Sequence, residues 1–161
     1  KKPEPQVLTV STLIDMIPVS DLSTVTSTYN GVAKVMNEKN PDKLDYYVAY
    51  EAQAQAGVNF DELQPEIDEA SKTVTIRVPA AHFMDANVDV SSLDFMFNNK
   101  KADTSGVTER AYKACQEDAD RECSRCEAIL KLARENAVNT VEALTRPLVE
   151  QLYPEYTLVV E

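Results

Sequence analysis

The stretch VTERAYKACQEDADRECSRCEAILKLARENAVNTVEALTRPLVEQL, Val107 to Leu152, decides how this chain folds. No glycine or proline lies between Gly106 and Pro147. Nothing there interrupts an α-helix, which would run roughly 60 Å. Ala111, Cys115, Ala119, Cys126, Ile129, Leu130, Ala133, Ala137, Val141, Leu144 and Leu148 recur at three- and four-residue steps and predict one apolar face. The first two thirds of that face are alanine and cysteine, so its partner surface can come close to the helix backbone and should carry large side chains. The other side holds Glu117, Arg121, Arg125, Glu127, Lys131 and Glu135. Its pairs Glu117/Arg121, Glu127/Lys131 and Lys131/Glu135 contribute only about a few tenths of a kcal/mol each, as on any solvated face. Pro147 lacks the N–H that the preceding turn needs, which predicts a kink or a fresh helix start there.

After this helix, Tyr156–Val160 predicts a short terminal strand. Before it, Leu22–Tyr29 and Val32–Met36 are rich in β-branched residues, and Asn30-Gly31 between them suits either a hairpin turn or a bulge in one strand. Asn40-Pro41-Asp42-Lys43 is a turn with proline second. Leu44–Ala56 is a long strand, with Leu44, Tyr46, Val48, Tyr50, Ala52 and Ala54 on one side and Asp45, Tyr47, Ala49 and Glu51 on the other; Gly57 is expected to close it. Its aromatic half matches the demand of the small helix face. Asn59–Leu63 reads as a turn, and Glu66–Asp68 with Thr73–Val78 reads as a hairpin placing Val74, Ile76 and Val78 inward. Ala80–Met84 reads as one helical turn, and Val88–Phe97 as a strand whose inward phase slips at Ser91-Ser92, as a bulge would cause. Near the start, Thr9 or Ser11 can cap a short helix through Ile17, ended by Pro18. The fold class is therefore α+β: a mostly antiparallel sheet packed against one long C-terminal helix, with a short N-terminal helix and a short C-terminal strand.

Length and 43% apolar content suit one globular domain. Residues 9–161 are expected to form it, with 1–8 a polar, proline-containing linker following a removed anchor. The net charge is −11, nearly all of it outside the long helical stretch, where acids and bases almost balance. Such a surface repels phosphate backbones and anionic headgroups, arguing against nucleic-acid binding and favouring cationic partners. No apolar run reaches the roughly 18 residues of a membrane span.

DLSTV from Asp21, YEAQAQAGVNFDEL from Tyr50, KTVTIRVPAAHFMDANVD from Lys72 and AILKLARENA from Ala128 together resemble a bacterial family known only as the domain of unknown function numbered four-two-three-zero. The resemblance covers most of the chain. It implies an extracytoplasmic domain following an amino-terminal membrane anchor, and it brings no catalytic or binding residue with it.

Candidate chemistry is sparse, and no residue is assigned a catalytic, cofactor-binding or metal-binding role. Cys115 and Cys126 lie about 16 Å apart along a helix, too far to pair. Cys123 and Cys126 form a C-x-x-C, but mid-helix and without a second ligand pair they suit neither zinc nor redox work, so all three are expected to be small core residues. Asp85, Asn87 and Asp89 open like a calcium loop, but Val90 and Met96 occupy the glycine and glutamate positions, leaving a solvated strand face. His82, the lone histidine, has no nucleophile motif. Gly31, Gly57 and Gly106 are isolated and make no phosphate loop, and Asp61/Glu62 and Asp68/Glu69 sit in polar turns. The expectation is a non-catalytic, membrane-tethered extracytoplasmic interaction or scaffold domain that associates with itself or with an envelope protein, because so long a helix outreaches a domain of this size. The alternative is a small-ligand or cation sensor using a pocket beside Tyr46, Tyr50 and the Asp85–Asp89 strand.

Overall fold

The computed structural model describes Thr9, residues 11–13 and residues 21–161. Among the described residues the element order is β1 (Asp21–Met36), β2 (Leu44–Asn59), β3 (Gln64–Asp68), β4 (Thr73–Arg77), β5 (His82–Val88), β6 (Asp94–Phe97), α1 (Val107–Ser124), α2 (Glu127–Leu152) and β7 (Thr157–Val160). The class is α+β, built on two sheets rather than one: β1-β2-β5 with β6 also on β2, and β3-β4-β7. β2/β6 and β3/β4 are antiparallel, and β7 joins β4 in parallel. Among the described residues no helix is long and apolar enough to cross a membrane.

The single long helix of the sequence reading is two helices, and the break falls at Arg125 and Cys126 rather than at Pro147. The cause is local. The Ser124 hydroxyl donates to the Arg121 carbonyl at 2.9 Å, the acceptor that the Arg125 amide would use in a continuing helix. Arg125 N–H turns instead to Glu122 O and Cys126 N–H to Cys123 O, tightening the last turn to three-residue steps. Pro147 lies inside α2, on its exposed side with Ala143, whose carbonyl it leaves without a helical donor and which water can serve. With the helix divided, the argument that it outreaches its domain loses its premise.

Other elements depart from expectation for equally local reasons. β1 runs unbroken through Asn30-Gly31, so no hairpin forms there. Gly31 serves proximity: a Cβ on it would lie 2.5 Å from Tyr50 Cζ and 2.8 Å from Tyr29 Cε1. β2 continues past Gly57 to Asn59. Ala80–Met84 is no helical turn, since β5 begins at His82. The phase slip at Ser91-Ser92 is a 3-10 turn between two strands, capped by Asp89, whose carboxylate accepts from Ser91 N–H at 2.9 Å. Asn59 caps a second 3-10 turn at Phe60–Glu62 in the same way. Thr9 accepts from Thr12 N–H at 3.2 Å and caps the helical residues Ser11–Leu13. The remainder of that helix to Ile17, its end at Pro18 and the linker at 1–8 lie outside the described residues. Arg121 pairs with Asp118 and Glu122, not with Glu117.

The chain divides into two compact units, with the division falling inside β1, β2, β5 and α2. The first takes in Gly57–His82, Leu130–Glu161 and the described residues up to Val25. Its core is mostly aliphatic: Leu13, Val58, Val74, Ile76, Val141, Val149 and Leu158 are buried together, with Phe60 and Tyr153 among them. Val74 and Ile76 of β4, and Val78 just after it, are buried as their alternation requires. Here α2 buries Ala133, Ala137, Val141, Thr145 and Val149, every fourth residue. Leu144, assigned to the apolar face, is exposed.

The second unit takes in Thr26–Ala56 and Phe83–Ile129. α1 again buries every fourth residue, Ala111, Cys115, Ala119 and Cys123. These small side chains share a core with Tyr46, Val48 and Tyr50 of β2, the pairing of small helix with large sheet that the sequence demanded. Tyr46 packs against Phe95 and Phe97 at ring separations of 5.6 and 5.3 Å. Gln116 reaches from α1 to β5, its amide donating to Ala86 O and accepting from Val88 N–H.

Candidate functional site

Asp45 is the buried carboxylate of the second unit, only 3% exposed. On β2 it alternates to the side opposite Tyr46, as the strand reading placed it. The ends of neighbouring segments bury it. Asn37, just past β1, donates its amide to Asp45 Oδ1 at 3.1 Å. Asn99, after β6, donates to the same oxygen at 3.3 Å, and Arg110 on α1 reaches Oδ2 at 3.4 Å. The Asp45 carbonyl also accepts from the Asn98 and Asn99 amides, both at 2.9 Å. The Asn37 amide, then Asn99 and the Arg110 guanidinium, hold this carboxyl below the ordinary aspartate value of 3.8 despite its burial.

Arg110 is fully engaged. It donates to Met36 O at 2.7 Å and pairs with Glu38 at 3.4 Å as well as with Asp45. The oxygens of Asn37 and Asn99 accept from backbone amides of Lys39, Asn40 and Lys101. Carboxylate, guanidinium and amides therefore form one closed network that pins both flanking loops to the start of α1.

Beside this network lies a cavity of about 660 Å³, within the range of small-molecule sites. The network lines it together with Lys39, Lys101 and Gly106, and Tyr46 contributes to its wall. Tyr46 is fully buried, and among the described residues its hydroxyl is the buried side-chain oxygen or nitrogen without a hydrogen-bond partner. Burial raises its pKa, and Arg110 opposes that rise, which places the hydroxyl within the field of the guanidinium that lines the cavity. A buried donor left unsatisfied costs roughly 1–3 kcal/mol, which makes this hydroxyl a weak point in the packing of the second unit.

The first unit has a larger cavity, about 910 Å³, near Arg77, Arg134 and Glu161. Its cations are spent within the fold: Arg77 pairs with Glu66 at 2.8 Å and Glu161 at 3.3 Å, and Arg134 donates to Val78 O at 3.0 Å.

The residues weighed from sequence fall elsewhere. Cys115 and Cys123 are buried and reduced; burial pushes each thiol up to about 11. Cys126 is only partly buried, and the C-x-x-C straddles the helix break rather than sitting mid-helix. Tyr50 is buried too, but its hydroxyl donates to Asp118 at 2.6 Å, and burial with that bond raises its pKa strongly. Asp85 and Asn87 are on the exposed face of β5 and Asp89 is occupied as a cap, so Tyr46 is not joined by the Asp85–Asp89 strand. Among the described residues no three histidine, cysteine or acidic side chains gather as a metal would require. His82 is exposed at the start of β5, Asp61 and Glu62 are exposed in the 3-10 turn, and Asp68, at the end of β3, and Glu69 are exposed too, Asp68 holding the Ala70 and Ser71 amides. The Asp45 cluster escaped sequence reading because its partners are eight, 54 and 65 positions away. The available signal was polar residues bunched in the loops that bracket β2.

A family model described as Protein of unknown function (DUF4230) matches residues 16–151. No curated protein and no solved structure matches the chain.

Proposed function

We propose, from the premise that this chain belongs to the DUF4230 family of proteins of unknown function, that it is a non-catalytic binding domain whose recognition site is the cavity walled by Tyr46. The observation that carries this reading is a space of small-molecule size walled by Tyr46 and by the closed Asp45–Arg110 network. The state of the other reactive groups supports binding without turnover. The two buried thiols are held protonated well above neutral pH, and Asp45 is locked in place by its three donors. The membrane tether and extracytoplasmic setting belong to the same proposal and rest on the family resemblance; fractionating cells that produce the full-length gene product tests them. Native mass spectrometry of the chain purified from its own host tests the binding role. Retained mass in the wild type that Tyr46→Phe or Gly106→Leu removes supports it, and a bare wild-type chain counts against it.

A second reading, association with itself or with an envelope protein, has its own observation. Tyr47 on β2 faces Met96 on β6, and Lys34 of β1 lies over the Tyr47 ring, so these share the outer face of that sheet with Val32 and Met36. Val32 is 53% and Met96 51% exposed. Sedimentation of the wild type and Met96→Lys tests its self-association arm: a concentration-dependent larger species that the variant abolishes supports it, and a monomer at all concentrations removes that arm.

A further inference from the structure

We propose that Cys123 and Cys126 form a reversible disulfide across the turn between α1 and α2, which makes that turn a redox-sensitive site. The proposal uses no part of the cavity, so it stands or falls apart from the binding reading.

The helix break brings the pair within bonding range. On a continuous α-helix, residues three apart hold their Cβ atoms about 5–6 Å from one another, whereas a disulfide needs about 3.5–4.5 Å. A mid-helix C-x-x-C is therefore too open to close. Here Cys126 N–H donates to Cys123 O at 3.1 Å, so the two cysteines span a three-residue step, in which side chains at i and i+3 eclipse one another. Such a turn keeps its end Cα atoms within about 7 Å, and a disulfide accepts up to about 6.8 Å. α1 ends at Ser124 and α2 begins at Glu127. Cys126 belongs to neither helix, and its torsions can adjust while both helices stay intact.

The sulfurs also act on one another. After burial, Cys126 is the largest influence raising the Cys123 pKa, ahead of Asp120, Asp118 and Glu122. Influence of this kind falls with distance, so the two thiols are near neighbours. Their exposures give each its part. Cys126 is partly buried, whereas Cys123 is 1% exposed and burial pushes its pKa up to about 11. A disulfide oxidant such as oxidised glutathione therefore meets Cys126 first. The Cys126 thiolate attacks one sulfur of the oxidant, forming a mixed disulfide and releasing one glutathione thiolate. Cys123 then loses its proton to solvent and attacks Cys126 Sγ, expelling the second glutathione thiolate. Two electrons pass from the cysteines to the oxidant, and their two protons end on the two glutathione thiols. Proximity offsets the small thiolate fraction at Cys123. Cys115 takes no part, because it is fully buried and lies about 12 Å from Cys123 along α1.

The test is exposure of the purified, reduced chain to oxidised glutathione, followed by alkylation in denaturant, intact mass measurement and peptide mapping. The expected product has lost two hydrogens, keeps one alkylatable thiol at Cys115, and returns to three thiols with dithiothreitol. Cys126→Ala should abolish the reaction, and Cys123→Ala should trap the glutathione adduct on Cys126; alanine suits the small face of α1, so both variants keep its packing. The folded chain should reach half oxidation at a proportion of oxidised glutathione at least about tenfold lower than the chain in urea, because only the fold holds the eclipsed turn. A wild-type product that stops at the Cys126 adduct, a disulfide that includes Cys115, three thiols that persist, or the same half-oxidation point in urea overturns the proposal.

Discussion

The two units solve the same packing problem with different materials. Each lays a helix on a sheet through a row of small residues spaced every four positions. In the first unit the row ends in valine and threonine and meets valine, isoleucine and leucine, and its buried polar side chain, Thr145, satisfies itself by donating to Val141 O at 2.6 Å. In the second unit the row is alanine and cysteine and meets tyrosine and phenylalanine, which bring hydroxyls into the core. One hydroxyl, on Tyr50, is matched by Asp118; the other, on Tyr46, is not. The mostly aliphatic packing leaves no buried side-chain polar atom unmatched among the described residues, whereas the aromatic packing leaves the Tyr46 hydroxyl without a partner there.

That contrast can be broken or sharpened by mutation. Ile76→Ala should remove about 3 kcal/mol of stability, as large-to-small changes at fully buried sites do, in a urea titration followed by circular dichroism. A much smaller loss would mean the aliphatic core is looser than its burial implies. Gly31→Ala in the second unit should cost about 2 kcal/mol by driving a methyl group into the Tyr50 and Tyr29 rings. A neutral result there would show that the aromatic layer can shift.

The sharper comparison is between two tyrosines four residues apart on one strand. Tyr50→Phe should destabilise by about 1.5 kcal/mol, because Asp118 loses a donor. Tyr46→Phe should stabilise the ligand-free chain by about 1 kcal/mol, because it removes an unsatisfied group. Equal losses from both would show that the Tyr46 hydroxyl is satisfied in solution, and the distinction between the units would fall.

The last prediction is a slope rather than a step. Asp45 has a folded pKa depressed below 3.8, so its contribution is complete above that value and is lost as pH falls through the depressed one. Asp68 and Asp89 are depressed as well, Asp68 chiefly by the Ser71 amide and Asp89 chiefly by the Ser91 hydroxyl. Asp45→Asn should therefore flatten, but not erase, the decline of the urea midpoint on acidification from about pH 5. An unchanged slope would place the acid sensitivity in those turns.

The fold was legible wherever a short-range pattern decides structure. The alternation of Val74, Ile76 and Val78, the long β2 strand, the terminal strand, the Asn59 turn and the small helix face matched to large sheet residues could all be read from neighbours in sequence. The helix break could not, because Ser124 is an ordinary helical residue until its hydroxyl takes the Arg121 carbonyl. The separation of β5 from β6 hid behind a phase slip that a bulge would also produce. Tyr46 was among the residues expected beside a pocket, but Tyr50 and the Asp85–Asp89 strand were not needed there. Asp45, Asn37, Asn99 and Arg110 went unnoticed because the signal for a buried ion pair is the partner's position in space.

The interruption at Arg125 also governs how local order is shared along the chain. Within a helix each amide bond steadies the next, so fraying at one point is resisted by the turns on either side. Between Ser124 and Glu127 the four-residue ladder is interrupted, which predicts that α1 and α2 fray separately. Amide hydrogen exchange should then report two protection levels across residues 107–152, with the change at the break, and loosening α1 would not have to propagate into α2 through the main chain.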